Sequence, residues 1–180
     1  MGSFQIFCEE AIVTADRAEW YDFEIGKPVV VEGYHGSPDI RFIKSGEGFR
    51  SRKEWMGLGK ADHLHWFTND YHTASTYADD HRAFDYQNAE AGVVKAVLTF
   101  DNPMVVDGNG KHWREVQKMK GTGADNIIEK ARSEGYDGVI ITNVYDTYNT
   151  NPGDATKSKK KVKPAVTYAA FYPEMIKVVK

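Results

Sequence analysis

The chain has 180 residues and a formal net charge of −3, which fits one domain with its own core and gives no global reason to expect nucleic-acid or membrane binding. Its single cysteine, Cys8, excludes an intramolecular disulfide and a thiolate-rich metal site. No apolar stretch approaches the roughly 20 residues that span a bilayer, and the N-terminus lacks the basic start of a signal peptide. These features predict a cytoplasmic protein with a single domain over residues 1–180, its core covering about 28–180 and residues 1–27 forming an N-terminal extension.

A strand is predicted over residues 28–34, because this segment contains an unbroken run of valines. The preceding segment, residues 9–27, is ambiguous, since its apolar residues also fit one face of a helix (Ala11, Ile12, Ala15, Ala18 and Trp20). A stretch rich in Gly, Lys and Arg, residues 45–62, is predicted to be a long loop. A short strand at 64–68 then leads into a helix that Asn69 or Asp70 caps, with Ala74, Tyr77 and Ala78 on one face.

The second half of the chain contains more predicted strands than helices. Strands are predicted over 92–100, 104–106, 139–141, 165–171 and 175–179. The 104–106 strand is predicted to end at Asp107-Gly108. One helix, residues 123–134, has Ile127, Ile128 and Ala131 inward and Gly135 just past its end. Because strands and helices do not alternate regularly, the pattern favours an antiparallel or mixed α+β domain over a doubly wound sheet.

A His-Gly step ends the first predicted strand, within the tetrapeptide Tyr34-His35-Gly36-Ser37. The imidazole can hydrogen-bond a ligand, and glycine, which has no Cβ, lets a ligand approach the backbone closely. Such a pair also occurs at ordinary strand ends. A functional interpretation of this pair depends on two later segments, Trp66-Phe67-Thr68 with Tyr77, and Thr167-Tyr168-Ala169-Ala170-Phe171.

Taken in order, these segments resemble the ADP-ribosyltransferases of the His-Tyr-Glu branch, and in particular the transferase domains of phage polyvalent proteins. The resemblance covers residues 28–180 and implies an α+β fold in which split antiparallel or mixed β-sheets and flanking helices surround an NAD cleft. It implies NAD as substrate. The matching segments are Tyr34-His35-Gly36-Ser37, Phe67-Thr68, Gly135-Tyr136-Asp137-Gly138-Val139 and Pro173-Glu174-Met175-Ile176-Lys177.

The resemblance also implies a role for individual residues. His35 would hydrogen-bond the ribose on the adenosine side of NAD, and the backbone of Gly36 would hydrogen-bond the nicotinamide amide. Trp66 and Tyr77 would hold the flat cationic nicotinamide between aromatic rings. The implied catalytic set is His35, Tyr77 and Thr167. The implied NAD-binding set is Tyr34, His35, Gly36, Ser37, Trp66, Phe67 and Tyr77.

Two positions depart from the family pattern. Thr167 stands where the family has a Glu; it can hydrogen-bond a ribose hydroxyl but supplies no negative charge to the oxocarbenium-like transition state. Ala74 replaces a Ser that binds the amide in some members, so either Ser75 or Thr73 takes that role or the bond is absent. Asp146 and Glu174 are acids nearby in sequence, and nothing in the sequence places either at the reacting carbon.

A lysine cluster precedes the last predicted core strands, at Lys157, Lys159, Lys160, Lys161 and Lys163. In the family this loop helps to choose the acceptor, so the resemblance predicts an acidic acceptor, either nucleic acid or an acidic protein face. A solvated loop without a role is the alternative. The histidines at 63, 65 and 72 have ligand-like spacing, but no carboxylates at ligand spacing accompany them, and we predict no metal site.

The predicted function is mono-ADP-ribosyl transfer from NAD to a macromolecular acceptor with release of nicotinamide, a glycosyltransferase reaction. A NAD glycohydrolase would use the same residues with water as the acceptor. The third alternative is a degenerate module that binds NAD, ADP-ribose or a protein, which the missing Glu favours. The retained His-Gly-Ser step and the aromatic pair favour transfer. A toxin-like role in bacteria, or in the host cytoplasm for a phage-encoded protein, follows only by analogy.

Overall fold

The computed structural model describes residues 12–44, 49, 64–78, 89–117, 126–146 and 163–179. Its strands are β1 (Ile12–Val13), β2 (Val29–Ser37), β3 (His65–Thr68), β4 (Gly92–Phe100), β5 (Pro103–His112), β6 (Gly138–Tyr145), β7 (Ala165–Ala170) and β8 (Ile176–Val178). Its helices are α1 (Arg41–Lys44), α2 (Tyr71–Ala78), α3 (Trp113–Gln117) and α4 (Asn126–Ser133). Short 3₁₀ turns cover Ala18–Trp20 and Pro173–Met175.

The eight strands form one sheet in the order β5-β6-β7-β3-β2-β4-β8, with β1 also paired to β2. The β1–β2 and β5–β6 pairs are parallel and the other described pairs are antiparallel. Among the described residues, the ladder between β3 and β2 is the single pair Thr68 and Tyr34. The sheet therefore consists of two four-stranded halves joined at one point. This mixed sheet with flanking helices confirms the predicted α+β fold.

Side chains alternate between the two faces of the sheet. On one face, here called the helix face, Ala74 of α2 packs on β2 and the apolar residues of α4 pack on β6. The opposite face holds the larger core, which includes Phe67, Leu98 and Tyr168. Residues from the N-terminal segment, among them Ala18, help to cover that core. Both faces are therefore buried, which suits the apolar β6 and β7.

The described start of α2 and the described end of α4 agree with the sequence. Asp70 caps α2, because its Oδ2 accepts a hydrogen bond from the Thr73 backbone N–H at 2.9 Å. Ile127, Ile128 and Ala131 of α4 are buried. Gly135 follows α4 with φ +82°, the left-handed conformation that ends many helices.

Several predicted boundaries are wrong. Residues 12–27, which the sequence leaves ambiguous, form β1 and a 3₁₀ turn and no helix face, and Trp20 is 85% exposed. Strand β5 continues past Asp107 to His112, because Asn109 and Gly110 adopt positive φ (52° and 64°) and let the strand resume. Strand β6 runs to Tyr145, and a 3₁₀ turn precedes the last strand.

Some predictions concern residues outside the described ranges: Cys8, the 45–62 loop apart from Phe49, His63, the start of the 123–134 helix and the segment 147–162. Within the described ranges, no helix is long and apolar enough to cross a membrane. The same ranges contain no group of three or more His, Cys, Asp or Glu side chains arranged to hold a metal ion.

Candidate active site

His35 lies in β2 immediately beyond the pair that joins the two halves of the sheet. The β2–β3 ladder ends with Tyr34 and Thr68, and beyond it the His35 side chain connects the two strands. Its Nδ1 lies 2.8 Å from the carbonyl oxygen of Trp66. A carbonyl oxygen only accepts hydrogen bonds, so Nδ1 carries the hydrogen and donates it.

The protonation state of His35 follows from its surroundings. Burial lowers the pKa of the imidazole, and the hydrogen bond to the Trp66 carbonyl opposes that shift to a smaller extent. The ring is therefore neutral at pH 7, with its hydrogen on Nδ1 and an accepting lone pair on Nε2. The rings of Phe49 and Phe67 hold it in place, with centroids 5.1 and 5.4 Å from its own. His35 thus offers a hydrogen-bond acceptor to a ligand hydroxyl.

Gly36 lies directly beneath α2. A Cβ built on Gly36 would come within 1.7 Å of the Ala74 carbonyl oxygen, so only glycine lets the helix pack this closely on β2. The two hydroxyls that neighbour Ala74 are engaged within the helix and its cap. Thr73 Oγ1 donates to the Asp70 carboxylate at 2.7 Å, and Ser75 Oγ donates to a carbonyl of its own helix at 2.7 Å.

The remaining residues of the predicted NAD-binding set are divided between the two faces of the sheet. Trp66 is partly buried on the helix face, where it packs against the core that includes α4. Phe67 is buried on the opposite face, and the His35 ring lies beside it there, so the structure does not bring His35 to the same face as Trp66. Tyr34 is partly exposed, and its ring meets that of Tyr71 edge-on at 5.6 Å. The Ser37 hydroxyl donates to the carbonyl two residues further on, at 3.0 Å.

A buried carboxylate connects two predicted catalytic groups that lie 90 positions apart in the sequence. The Tyr77 hydroxyl, from α2, donates to Oδ1 of Asp146, and the Thr167 hydroxyl, from β7, donates to Oδ2 at 2.9 Å. Asp146 is 7% exposed and Thr167 is 1% exposed, whereas Tyr77 is partly exposed. We refer to these three residues as the Asp146 cluster.

Two opposing effects act on the Asp146 carboxyl. Burial raises its pKa, because the charged form loses hydration. The hydrogen bonds from Tyr77 and Thr167 favour the charged form and oppose that shift, as does the nearby His112 to a smaller extent. The pKa of Asp146 is raised overall, so this carboxylate is costly to keep ionised in the folded protein.

A β-bulge in β6 aims Asp146 at Thr167. Ile141 pairs with Thr167, but Val144 pairs with Ala165, so β6 contains one extra residue between these pairs. Asn143 lies in the bulge with φ +49°. The extra residue shifts the alternation of side chains. Val144 joins Ile141 in the helix-face core, and Asp146, two residues later, lies on that same face.

Sequence reasoning left Asp146 unplaced, and the bulge explains why. Strict alternation from Ile141 would put residues 143 and 145 on the helix face and Asp146 on the opposite one. A usable signal was present: Asn143 interrupts an apolar run, and Asn is the residue type that tolerates positive φ at a bulge. Of the lysine cluster, Lys163 is described and exposed, while residues 157–161 lie outside the described ranges.

The comparison with family models agrees with this arrangement. Residues 24–180 match the model described as ADP-ribosyltransferase in polyvalent proteins. The match covers most of the chain, and the protein belongs to this family of ADP-ribosyltransferase domains. No curated protein matches the chain.

Proposed function

We propose that this protein transfers single ADP-ribose units from NAD to a macromolecular acceptor and releases nicotinamide. Membership of the ADP-ribosyltransferase family supports the reaction type. The observation that carries the proposal is the adjacency of the three motif segments. Thr68 of β3 pairs with Tyr34 of β2 on one side and with Thr167 of β7 on the other. Segments far apart in the sequence thus lie on neighbouring strands, with α2 above them.

The role proposed for His35 is supported by the hydrogen-bonding state of its ring, which lies beside Phe67 on the face opposite to Trp66 and Tyr77. Its Nε2 is an acceptor, as a ribose hydroxyl on the adenosine side of NAD requires, because that hydroxyl donates. Trp66 and Tyr77 both belong to the helix face, where their rings would flank nicotinamide, and the backbone of Gly36 would hydrogen-bond its amide. In the reaction the C1′–N glycosidic bond breaks, and nicotinamide leaves with the bonding electrons. The acceptor atom then bonds to C1′ and loses its proton.

The chemical class of the acceptor is inferred from the positive charge of the lysine cluster. We propose an acidic acceptor, either nucleic acid or an acidic protein face, because Lys163 and the four lysines just before it form a basic segment next to β7 in an acidic chain. Replacing all five lysines with Gln is expected to reduce modification of the acceptor and to leave NAD binding unchanged. Loss of NAD binding in this variant would show that the segment does not act on the acceptor.

A binding module without transferase activity is the second candidate. One observation favours it: position 167 carries a threonine, which cannot supply the negative charge that stabilises an oxocarbenium-like transition state. Such a module would bind NAD or ADP-ribose through the same residues. It would leave the glycosidic bond intact.

The deciding experiment measures nicotinamide release from labelled NAD by the wild type, His35→Ala and Tyr77→Ala. Two matched controls remove residues of the same type outside the proposed site, the exposed His72→Ala and Tyr172→Ala, the latter at a position that is 49% exposed. Release by the wild type and both controls, lost in the two site variants, is the expected result. Label on a macromolecule indicates transfer, and label on free ADP-ribose indicates hydrolysis. NAD binding without release favours the binding module.

A further inference from the structure

We propose that Asp146 takes over the function of the carboxylate that is missing at position 167, as a positioning residue that acts through the hydroxyls of Thr167 and Tyr77. This inference rests on the proposed function. It starts from the hydrogen bonds in the Asp146 cluster, in which both carboxylate oxygens accept a hydroxyl hydrogen. The partners come from α2 and β7, two of the three elements to which the resemblance assigns the catalytic groups.

The first step concerns the polarity of the two hydroxyls. A hydroxyl has one hydrogen to donate and lone pairs with which to accept. Asp146 takes the hydrogen of Thr167 and that of Tyr77, so what each hydroxyl still offers is its lone pairs. Both groups then act as acceptors only, like an ionised glutamate. A ribose hydroxyl near C1′ can donate to the partly exposed Tyr77 hydroxyl just as it would donate to a carboxylate.

The second step concerns charge. As the glycosidic bond breaks, nicotinamide takes the bonding electrons and positive charge develops at C1′ and the ring oxygen. A negative charge one hydrogen bond behind the accepting oxygen stabilises that charge, because hydrogen-bonded groups polarise one another and the site has a low dielectric constant. Asp146 itself gains and loses no proton. The acceptor atom supplies the new bond to C1′ and releases its own proton to solvent.

The third step concerns how the position is built. Asp146 lies on the helix face only because of the bulge around Asn143, where a non-glycine residue adopts a φ of +49°. A buried carboxylate that burial makes costly to ionise is also a poor choice for stability alone. Backbone strain and a buried charge at the same end of one strand are typical of a functional site.

The central test removes the charge of Asp146 and then introduces a carboxylate at position 167. Asp146→Asn keeps the shape of the side chain but removes the charge, and its amide donates to one of the two hydroxyls. We expect kcat for nicotinamide release to fall by about 100-fold or more, a loss typical of a missing transition-state contact, with KM for NAD changed less than about 3-fold. Adding Thr167→Glu to Asp146→Asn restores a carboxylate at the reacting end. This double variant is expected to recover at least about 10-fold of the lost kcat.

The pH profile separates a charge effect from a structural one. The titratable groups that face Asp146 within the described residues are Tyr77 from α2 and His112 from β5. Protonated Asp146 donates one hydrogen and reverses one hydroxyl. The wild-type rate is therefore expected to fall as the pH drops through the raised pKa of Asp146, and Asp146→Asn lacks this acidic limb. Asp137→Asn, at the other end of β6, is the control and keeps both the wild-type rate and its pH profile.

The outcomes are distinct. Wild-type kcat and pH profile in Asp146→Asn would overturn this inference and leave the proposed function standing. Absence of nicotinamide release from the wild type itself would overturn the proposed function and the inference together. Should Asp146→Asn fail to fold, Thr167→Ser and Thr167→Val take its place. The Ser variant keeps the hydrogen bond to Asp146 and retains activity, the Val variant loses it, and equal activity of the two would reject the inference.

Discussion

Strand β6 has an aspartate at each end, and the two carboxylates have different kinds of partner. Asp137, just before the strand, accepts the backbone N–H groups of Asp101 and Asn102 at 2.6 and 3.1 Å. Asp146, just after it, accepts the side-chain hydroxyls of Tyr77 and Thr167. A backbone N–H has no further atom to offer a ligand, whereas a hydroxyl keeps its lone pairs. The same residue type therefore binds the backbone of a turn at one end of the strand and, in the proposed mechanism, orients two hydroxyls at the other.

The two ends also differ in what they contribute to stability. Asp137 ties the β4–β5 turn to the start of β6, and its own N–H donates to the Asn102 carbonyl at 3.1 Å. Such bonds link segments that are distant in sequence and add to folding stability. Asp146 is buried, and burial raises its pKa, so its ionised form weakens the fold. In the proposed function, the catalytic contribution of the second carboxylate offsets its cost to stability.

The largest effect is expected from removing a hydroxyl that donates to Asp146. Tyr77→Phe keeps the ring but removes the hydroxyl that donates to Asp146 Oδ1. We expect kcat for nicotinamide release to fall by about 100-fold, comparable with the loss of one transition-state contact. The free energy of unfolding should fall by about 1–3 kcal/mol, because a buried carboxylate oxygen loses its donor. Steady-state kinetics and urea denaturation measure the two quantities.

Tyr172→Phe is the control for this substitution, since Tyr172 is exposed and lies outside the Asp146 cluster. It should change neither quantity. A Tyr77→Phe variant with the wild-type kcat would remove the distinction between the two ends of β6.

The second prediction concerns removal of the Asp137 carboxylate. Asp137→Ala leaves two backbone N–H groups without their charged acceptor. We expect the free energy of unfolding to fall by about 2–4 kcal/mol, since hydrogen bonds to charged groups contribute more than neutral ones. Nicotinamide release per folded molecule should stay at the wild-type rate. Denaturant titration gives the first number, and a rate assay corrected for the folded fraction gives the second.

A loss of activity in folded Asp137→Ala would mean that the turn also shapes the site. Asn102→Ala is a useful companion variant, because its side chain donates to the Gly135 carbonyl in the same turn at 3.0 Å. It should weaken the fold in the same direction and by less.

The difference between the two aspartates also marks the limit of what the sequence predicts. The strand containing His35, the helix capped by Asp70 and the close of α4 at Gly135 follow from apolar runs, capping chemistry and glycine, all of which are local. The partners of Asp137 lie 35 and 36 positions away, so no local pattern predicts them. The sequence did not predict the position of Asp146, because one extra residue in β6 reverses the face on which it lies.

The third prediction concerns the pH dependence of stability that Asp146 causes. The pKa of Asp146 is raised in the folded state above its unfolded value of about 3.9. Its contribution to stability is therefore full below that unfolded value and is lost as the pH rises through the folded-state pKa. The wild type should lose stability relative to Asp146→Asn over this pH range. Urea denaturation of both proteins at a series of pH values measures the difference. An unchanged difference between wild type and Asp146→Asn at all pH values would contradict the predicted burial of the charge.

The smallest expected effect concerns the bulge that separates the two ends. Asn143 has a φ of +49°, which glycine adopts freely and a β-branched residue does not. Asn143→Val should lower the free energy of unfolding by about 1–2 kcal/mol, whereas Asn143→Gly should change it by less than about 0.5 kcal/mol. Because the bulge sets the direction of Asp146 and not that of Asp137, the Val variant should also release nicotinamide more slowly, while the Gly variant keeps most of its rate. A Val variant that is destabilised yet fully active would show that Asp146 reaches its partners without the bulge.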